Sequence, residues 1–152
     1  LLQNAYYEND TFPAEGPFPP QVGTTTKYVI KWEVKNFYSD LVNVKVKAVL
    51  PENIQLTGEI SPEENSSKFA FDSQSREIVW EIGDLAASQN ASSGLLLAFQ
   101  TAFYPKTYYD LDAKIIDEVF ITGHDQWTGE VFIRAVPAIT SDLKQGSFDE
   151  LE

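Results

Sequence analysis

Residues 28–35 alternate strictly, with Tyr28, Ile30, Trp32 and Val34 on one side and Val29, Lys31, Glu33 and Lys35 on the other. Residues 42–50 repeat the pattern, with Val42, Val44, Val46, Ala48 and Leu50 in phase and Asn43, Lys45 and Lys47 out of phase. A period of two is the signature of a half-buried β-strand, and no stretch of ten residues shows the three-to-four spacing of an amphipathic helix. Such strands must bury their apolar face against a second sheet. This constraint predicts an all-β fold.

Further runs extend the reading. Pro51, Glu52 and Asn53 end the second strand, and residues 54–60 read as a short, broken strand. Residues 61–67 read as a polar loop. Phe69 and Phe71 lead through a polar turn into Ile78, Trp80 and Ile82, a hairpin that Gly83 should stop. Residues 94–104 are the most apolar stretch, with Leu95, Leu97, Phe99, Thr101 and Phe103 on one face, and should form a central strand. Residues 113–122 read as one imperfect strand, with Asp117 in phase with Ile115, Val119 and Ile121. A tight connection at residues 123–129 then leads to a last strand at residues 131–136. Seven or eight such strands predict an immunoglobulin-like two-sheet sandwich with Greek-key connections, an up-and-down barrel being the competing architecture. The expected core includes Trp32, Trp80, Ile30, Val46 and Phe99.

The ends differ. Residues 1–20 carry Pro13, Pro17, Pro19 and Pro20 with little periodicity, and residues 141–152 are polar and acidic. Both read as extensions flanking a core at residues 21–140, and apolar Leu1, Leu2, Tyr6, Tyr7, Phe12 and Phe18 suggest that the first docks on a neighbouring domain or subunit.

The 152 residues fit one domain. Eleven basic residues against 23 acidic ones, a formal charge of −12, disfavour nucleic acid and anionic membrane surfaces as partners. No apolar run approaches the ~20 residues that span a bilayer, so no membrane insertion is expected of this segment. Without cysteine, neither disulfide nor thiolate chemistry is available. Without methionine, the chain reads as a processed product or a piece of something longer.

Three stretches together resemble a family. Residues 22–36 (VGTTTKYVIKWEVKN), 43–54 (NVKVKAVLPENI) and 76–88 (REIVWEIGDLAAS) are similar to the repeat of bacterial and archaeal surface proteins catalogued as domain of unknown function eleven. Leu50-Pro51 and the run from Trp80 through Ile82 and Gly83 to Leu85 are its more specific elements, while Glu52 and Ser88 stand where the family pattern has glycine. The resemblance covers about residues 21–140. It implies an immunoglobulin-like module of a secreted or cell-surface protein, prokaryotic, without catalytic residues, whose partners are neighbouring domains or subunits of the same assembly.

Candidate sites are few. His124, the only histidine, reads as an exposed turn residue, and no nucleophile elbow or phosphate-binding glycine loop is present. We expect no enzyme and no cofactor. Asp110 and Asp112 are the candidate ligands for calcium, which needs six to eight oxygens; the loop with Asp110 and Asp112 and the loop with Asp125 sit at opposite ends of the strand at residues 113–122, which holds Asp117, so all four cannot share one ion. Tyr6, Tyr7, Tyr108, Tyr109 and Trp127 lie outside the clean alternation and could form a platform for a glycan or a host protein, with Trp127 or Tyr108 and Tyr109 as the candidate binding residues. A spontaneous lysine–asparagine bond needs a buried lysine, and Lys27, Lys31, Lys35, Lys45 and Lys47 all fall on outward phases. Asn9, Asn65 and Asn90 open N-glycosylation acceptor patterns. Together these readings predict a structural or adhesive module, a spacer or assembly unit, with carbohydrate recognition as the alternative.

Overall fold

The structure, a computed structural model, describes residues 2–7, 15–35, 40–86, 95–111, 113–141 and 143. Among them are eleven strands: β1 (Leu2–Tyr6), β2 (Thr26–Val34), β3 (Leu41–Val49), β4 (Ile54–Ser61), β5 (Phe69–Phe71), β6 (Glu77–Leu85), β7 (Leu95–Phe103), β8 (Lys114–Ile116), β9 (Val119–Asp125), β10 (Val131–Val136) and β11 (Ile139–Thr140). One sheet has the order β1-β2-β7-β4 and the other β10-β9-β3-β6-β5, with β8 and β11 as a separate pair. Every pairing is antiparallel. The chain changes sheet between β2 and β3, β3 and β4, β4 and β5, β6 and β7, and, by way of β8, β7 and β9. These crossings make an immunoglobulin-like, Greek-key sandwich.

The alternation that predicts the first strands is what buries them. Tyr28, Ile30, Trp32 and Val34 of β2 and Val44, Val46 and Ala48 of β3, followed by Leu50, are buried in one cluster with Ile78, Trp80, Leu97, Phe99 and Phe103. Trp32 and Trp80, from opposite sheets, stack with ring centroids 6.5 Å apart at 21°. Phe99 meets the Trp32 ring edge-on at 5.0 Å, and Phe69 of the other sheet lies 5.3 Å from Phe99. Offset and edge-on arrangements of this kind suit the ring quadrupoles and add to area burial.

Several local expectations change. The phase of β3 slips at Asn43, which adopts φ 55 beside Val44, the residue opposite Gly83 at φ 85. Leu41 therefore packs on the core, and Val42, expected inward, is only half-buried. Gly83 does not stop β6, because its positive φ supports a bulge through which the strand runs on to Leu85. The strand expected at residues 113–122 is two strands, β8 and β9. The break at Asp117 and Glu118 allows both Ile115 and Ile116 to be buried and keeps Asp117 out of the core. β4 is broken as expected: between Leu56 and Ile60 the register shifts, and the Thr57 hydroxyl bonds to Gln100 Oε1 at 2.9 Å.

The largest departure is the N-terminus. Residues 2–6 were expected in a docking extension, yet β1 pairs along β2 from Leu2 opposite Glu33 to Tyr6 opposite Val29. The inward residue is polar, which conceals the strand from an apolar count. Gln3 is buried, and its Oε1 accepts a 2.8 Å hydrogen bond from the Trp32 indole N–H. Its amide group donates to the carbonyl of Pro137 at 3.0 Å. Residues 15–18 also pack on this domain, since Thr26 Oγ1 donates to Pro17 O at 2.6 Å and Phe18 packs between Tyr7 and Tyr28. At the other end the domain continues past residue 140: Ser141 is buried and its carbonyl accepts from the Tyr28 hydroxyl at 2.6 Å.

Truncating Trp32 or Trp80 to alanine is expected to cost about 3–5 kcal/mol in urea unfolding by leaving a core cavity. Melting like the wild type in both variants would refute the stacked register. Gln3→Leu should cost about 1–3 kcal/mol, because the buried indole N–H loses its acceptor. An unchanged unfolding midpoint would mean that β1 is peripheral.

Candidate functional site

The two ends of the sandwich hold the residues that sequence reasoning singles out. At one end Phe103 lies opposite both Thr26 and Ile54, and the chain continues into the loop carrying Tyr108, Tyr109 and Asp110. At the other end Val34 pairs with Leu95, Leu41 pairs with Asp125, and Gln126 N–H donates to Asp40 O at 2.9 Å in the turn carrying Trp127. The three candidate aromatics therefore do not form one platform. Tyr108 and Tyr109, 79% and 91% exposed, pack edge to face at 6.3 Å at the Phe103 end. Trp127, 76% exposed, is at the Val34 end.

Asp110 closes its own loop. One carboxylate oxygen accepts from the backbone N–H of Thr107 at 3.0 Å, the Thr107 hydroxyl at 3.2 Å and the backbone N–H of Lys106 at 3.2 Å. These donors, the Thr107 backbone foremost, hold the carboxyl below the ordinary carboxylate range against the opposing effect of desolvation. This is the reciprocal capping arrangement of a 3-10 turn at Tyr108–Asp110. Its companion in the calcium reading, Asp112, lies outside the described residues. Asp117 accepts from Glu118 N–H at 2.8 Å and pairs with Lys114 at 3.5 Å, while Asp125 accepts from the N–H groups of Trp127 and Thr128 at 2.8 and 3.0 Å. Asp125 belongs to the Val34 end, away from Asp110. No group of three metal-ligating side chains is found among the described residues.

His124 is not a turn residue. It lies within β9, half-buried, opposite Val131 of β10 and Val42 of β3. Gly123 before it is also a strand residue, so closely packed that a Cβ there would lie 2.7 Å from the Phe132 ring and 3.2 Å from a Val44 methyl. The five strand lysines keep their outward phases. Lys27 pairs with Glu15, Lys35 with Glu33 at 3.5 Å and Lys45 with Glu81 at 3.9 Å. Asn65 lies in a second 3-10 turn, Glu63–Lys68, and the Asn9 and Asn90 patterns lie outside the described residues.

Sequence reasoning missed Arg76. At φ 61 it turns back, so that its Nε donates to Leu50 O and its Nη2 to Pro51 O, both at 3.0 Å, and Nη2 also donates to Ile54 O. Its guanidinium lies 5.6 Å from the centre of the Phe71 ring. The arginine thus fastens the Leu50-Pro51 crossover to the β5–β6 hairpin. Its only sequence signal is that it begins the third stretch of the resemblance while Leu50-Pro51 lies within the second.

No protein-family model matches the sequence, and no curated protein matches it. Among solved structures, the chain is similar to a two-domain fragment of the major pilin SpaD from Corynebacterium diphtheriae, at 9% identity and TM-score 0.48 over 91% of this chain and 50% of that one. It is similar to a variant of BcpA, the major pilin subunit of Bacillus cereus, at 9% and 0.48 over 76% and 34%. The Mu homology domain of Fcho1 from Danio rerio stands at 13% and 0.41 over 90% and 42%. The chain thus spans half or less of the length of each. Likeness this distant does not extend to role.

Asp110→Asn is expected to lower the melting temperature slightly at neutral pH. A carboxyl whose folded pKa is depressed contributes stability above its ordinary value, near 3.8, and loses it as pH falls through the lower folded value. The gap between variant and wild type should therefore close in acid. A gap that widened in acid would contradict the capping role.

Proposed function

We propose that this domain is a non-catalytic structural module of a secreted or cell-surface protein, a spacer or assembly unit joined to further domains. The observation that carries this reading is where the chain enters and leaves the sandwich. β1 begins with Leu2 opposite Glu33, one residue from the Val34 end. The last described strand leads into Ser141, which is bonded to Tyr28, Leu111 and Ala113 toward the Phe103 end. Glu33 and Tyr28 are separated by about 17 Å of strand at the rise of an extended chain. Domains placed before and after this one would extend away from opposite ends instead of folding back side by side.

The polar groups fit a structural role as well. Gln3, Arg76 and Asp110, which in a cleft would be candidates for chemistry, are engaged by carbonyls, an indole and backbone N–H groups of this domain. The resemblance to the surface-protein repeat points the same way, and with it we propose a prokaryotic cell-surface location. Neighbouring domains or subunits of that assembly are the proposed partners.

The second reading, glycan or host-protein recognition, draws on Tyr108 and Tyr109, which are the most exposed large hydrophobic residues among the described residues. A glycan array separates the two. The structural reading expects no glycan above background. A hit abolished by Tyr108→Ala with Tyr109→Ala, or by Trp127→Ala, would transfer the function to recognition.

A further inference from the structure

The loop that carries Tyr108 and Tyr109 is held differently on its two arms. The arm arriving from β7 is tied to the main sandwich, since Gly23 N–H donates to Pro105 O at 2.9 Å and Tyr104 N–H to Asn53 O at 3.3 Å. The arm leaving it enters β8, which belongs to a separate two-stranded sheet whose other strand is β11. That ladder is short, with an irregularity between Ile139 and Thr140. Ile115 and Ile116 root β8 in the core. The stretch between the tyrosines and that root is anchored by a segment from the far end of the domain's chain.

Ser141, directly after β11 and 3% exposed, supplies the anchor. Its hydroxyl donates to the Leu111 carbonyl at 2.5 Å and accepts from the Ala113 N–H at 3.5 Å, while its own N–H donates to the Ala113 carbonyl at 2.7 Å. Leu111 caps the 3-10 turn Tyr108–Asp110, so the hydroxyl bears on the end of that turn. A hydroxyl has one proton to give, and this one gives it to the loop. Ser141 is fastened in its turn. The Tyr28 hydroxyl donates to its carbonyl at 2.6 Å, Ile139 before it is buried, and Leu143 after it donates to Thr140 O at 2.9 Å and packs on the core. Leu143 takes φ 66, a costly conformation for leucine that these contacts must offset. Beyond it the sequence runs on to Glu152.

We propose that β11, Ser141 and Leu143 form a latch that fixes how the Tyr108 and Tyr109 rings are presented, with the Ser141 hydroxyl as the link. With the latch closed, both rings stand exposed on a supported turn. With it open, the turn loses the hydrogen bond at its cap. A pull or a neighbour acting on the chain beyond Leu143 meets the latch first, because a ladder this short opens at lower cost than the pairing of the nine-residue strands β2 and β7. The exit of the chain and the most exposed aromatic pair are thereby coupled. This coupling goes beyond the spacer reading and holds whichever role the rings serve.

Residue-resolved amide hydrogen exchange of the full chain tests the link. The reporters are the Asp110 and Leu111 amides, which donate to Thr107 O and Tyr108 O, and the controls are the Asp125 and Gly129 amides at the opposite end of the sandwich. Ser141→Ala should quicken exchange at the reporters roughly three- to tenfold, the range expected of one lost hydrogen bond, and leave the controls unchanged. Ile139→Val, which loosens the latch by one methylene and keeps the hydroxyl, should quicken the reporters too. The two effects should not add. Once the hydroxyl is gone, a looser latch no longer reaches the turn, so the double variant should match Ser141→Ala at the reporters. Reporters that ignore either substitution, or effects that add in full, would overturn the proposal. Equal quickening of reporters and controls would do so as well, since the loop would then open only with the whole domain.

Discussion

The stacking of Trp32 on Trp80 is the contact on which the rest of the sandwich depends. Each ring belongs to a different sheet, and their 6.5 Å separation, with Phe99 against one edge and Phe69 behind it, joins the two layers at mid-height. An indole placed there brings a polar N–H into a buried site, where an unpaired donor is costly. Gln3 supplies the acceptor, and its amide group then reaches the Pro137 carbonyl between β10 and β11. One aromatic choice in β2 thereby draws the first strand and the last segment of the domain onto the same core.

Elsewhere polar side chains do comparable work at the crossovers. Arg76 holds the turn out of β3 against the hairpin that delivers Trp80, and Asp110 fixes the loop leaving β7. Tyr28 buries its ring beside Phe103 and lends its hydroxyl to Ser141. Arg76 and Tyr28 bridge segments far apart in sequence, while Asp110 closes its own loop. The three stretches that carry the family resemblance meet through such contacts, Trp32 with Trp80 and Leu50-Pro51 with Arg76. Their shared feature is a structural junction, and no cleft is built from them.

Most of the sandwich was legible because burial on one face writes itself as alternation. β2, β6 and β7 were readable in phase except that Val29 and Gln100, expected outward, are buried and Leu95, expected inward, is exposed, and Trp32, Trp80, Ile30, Val46 and Phe99 lie in the core as expected. The failures share a cause. Gln3 hid β1 because a buried amide looks like surface until its partner is known. Asn43 hid the slip in β3 because a positive φ leaves no trace in hydropathy, and Asp117 hid the β8–β9 break because one residue out of phase resembles an imperfect strand. At the candidate site, residue type was informative, and the strand read between the two loops already set them at opposite ends. Tyr109 and Trp127 are 18 positions apart in sequence, and the course of β9 keeps them apart.

The entry of the chain through β1 has a mechanical consequence. Tension applied between neighbours at the two ends would run along β1, whose direction is from the Val34 end inward, and not across it. The hydrogen bonds joining β1 to β2 lie perpendicular to that line, so all of them would be loaded together in shear instead of parting one at a time. Gln3, bonded to the indole beneath and to the Pro137 carbonyl, would act as a bolt through the lap joint. A thread anchored this way yields only when the whole joint slips.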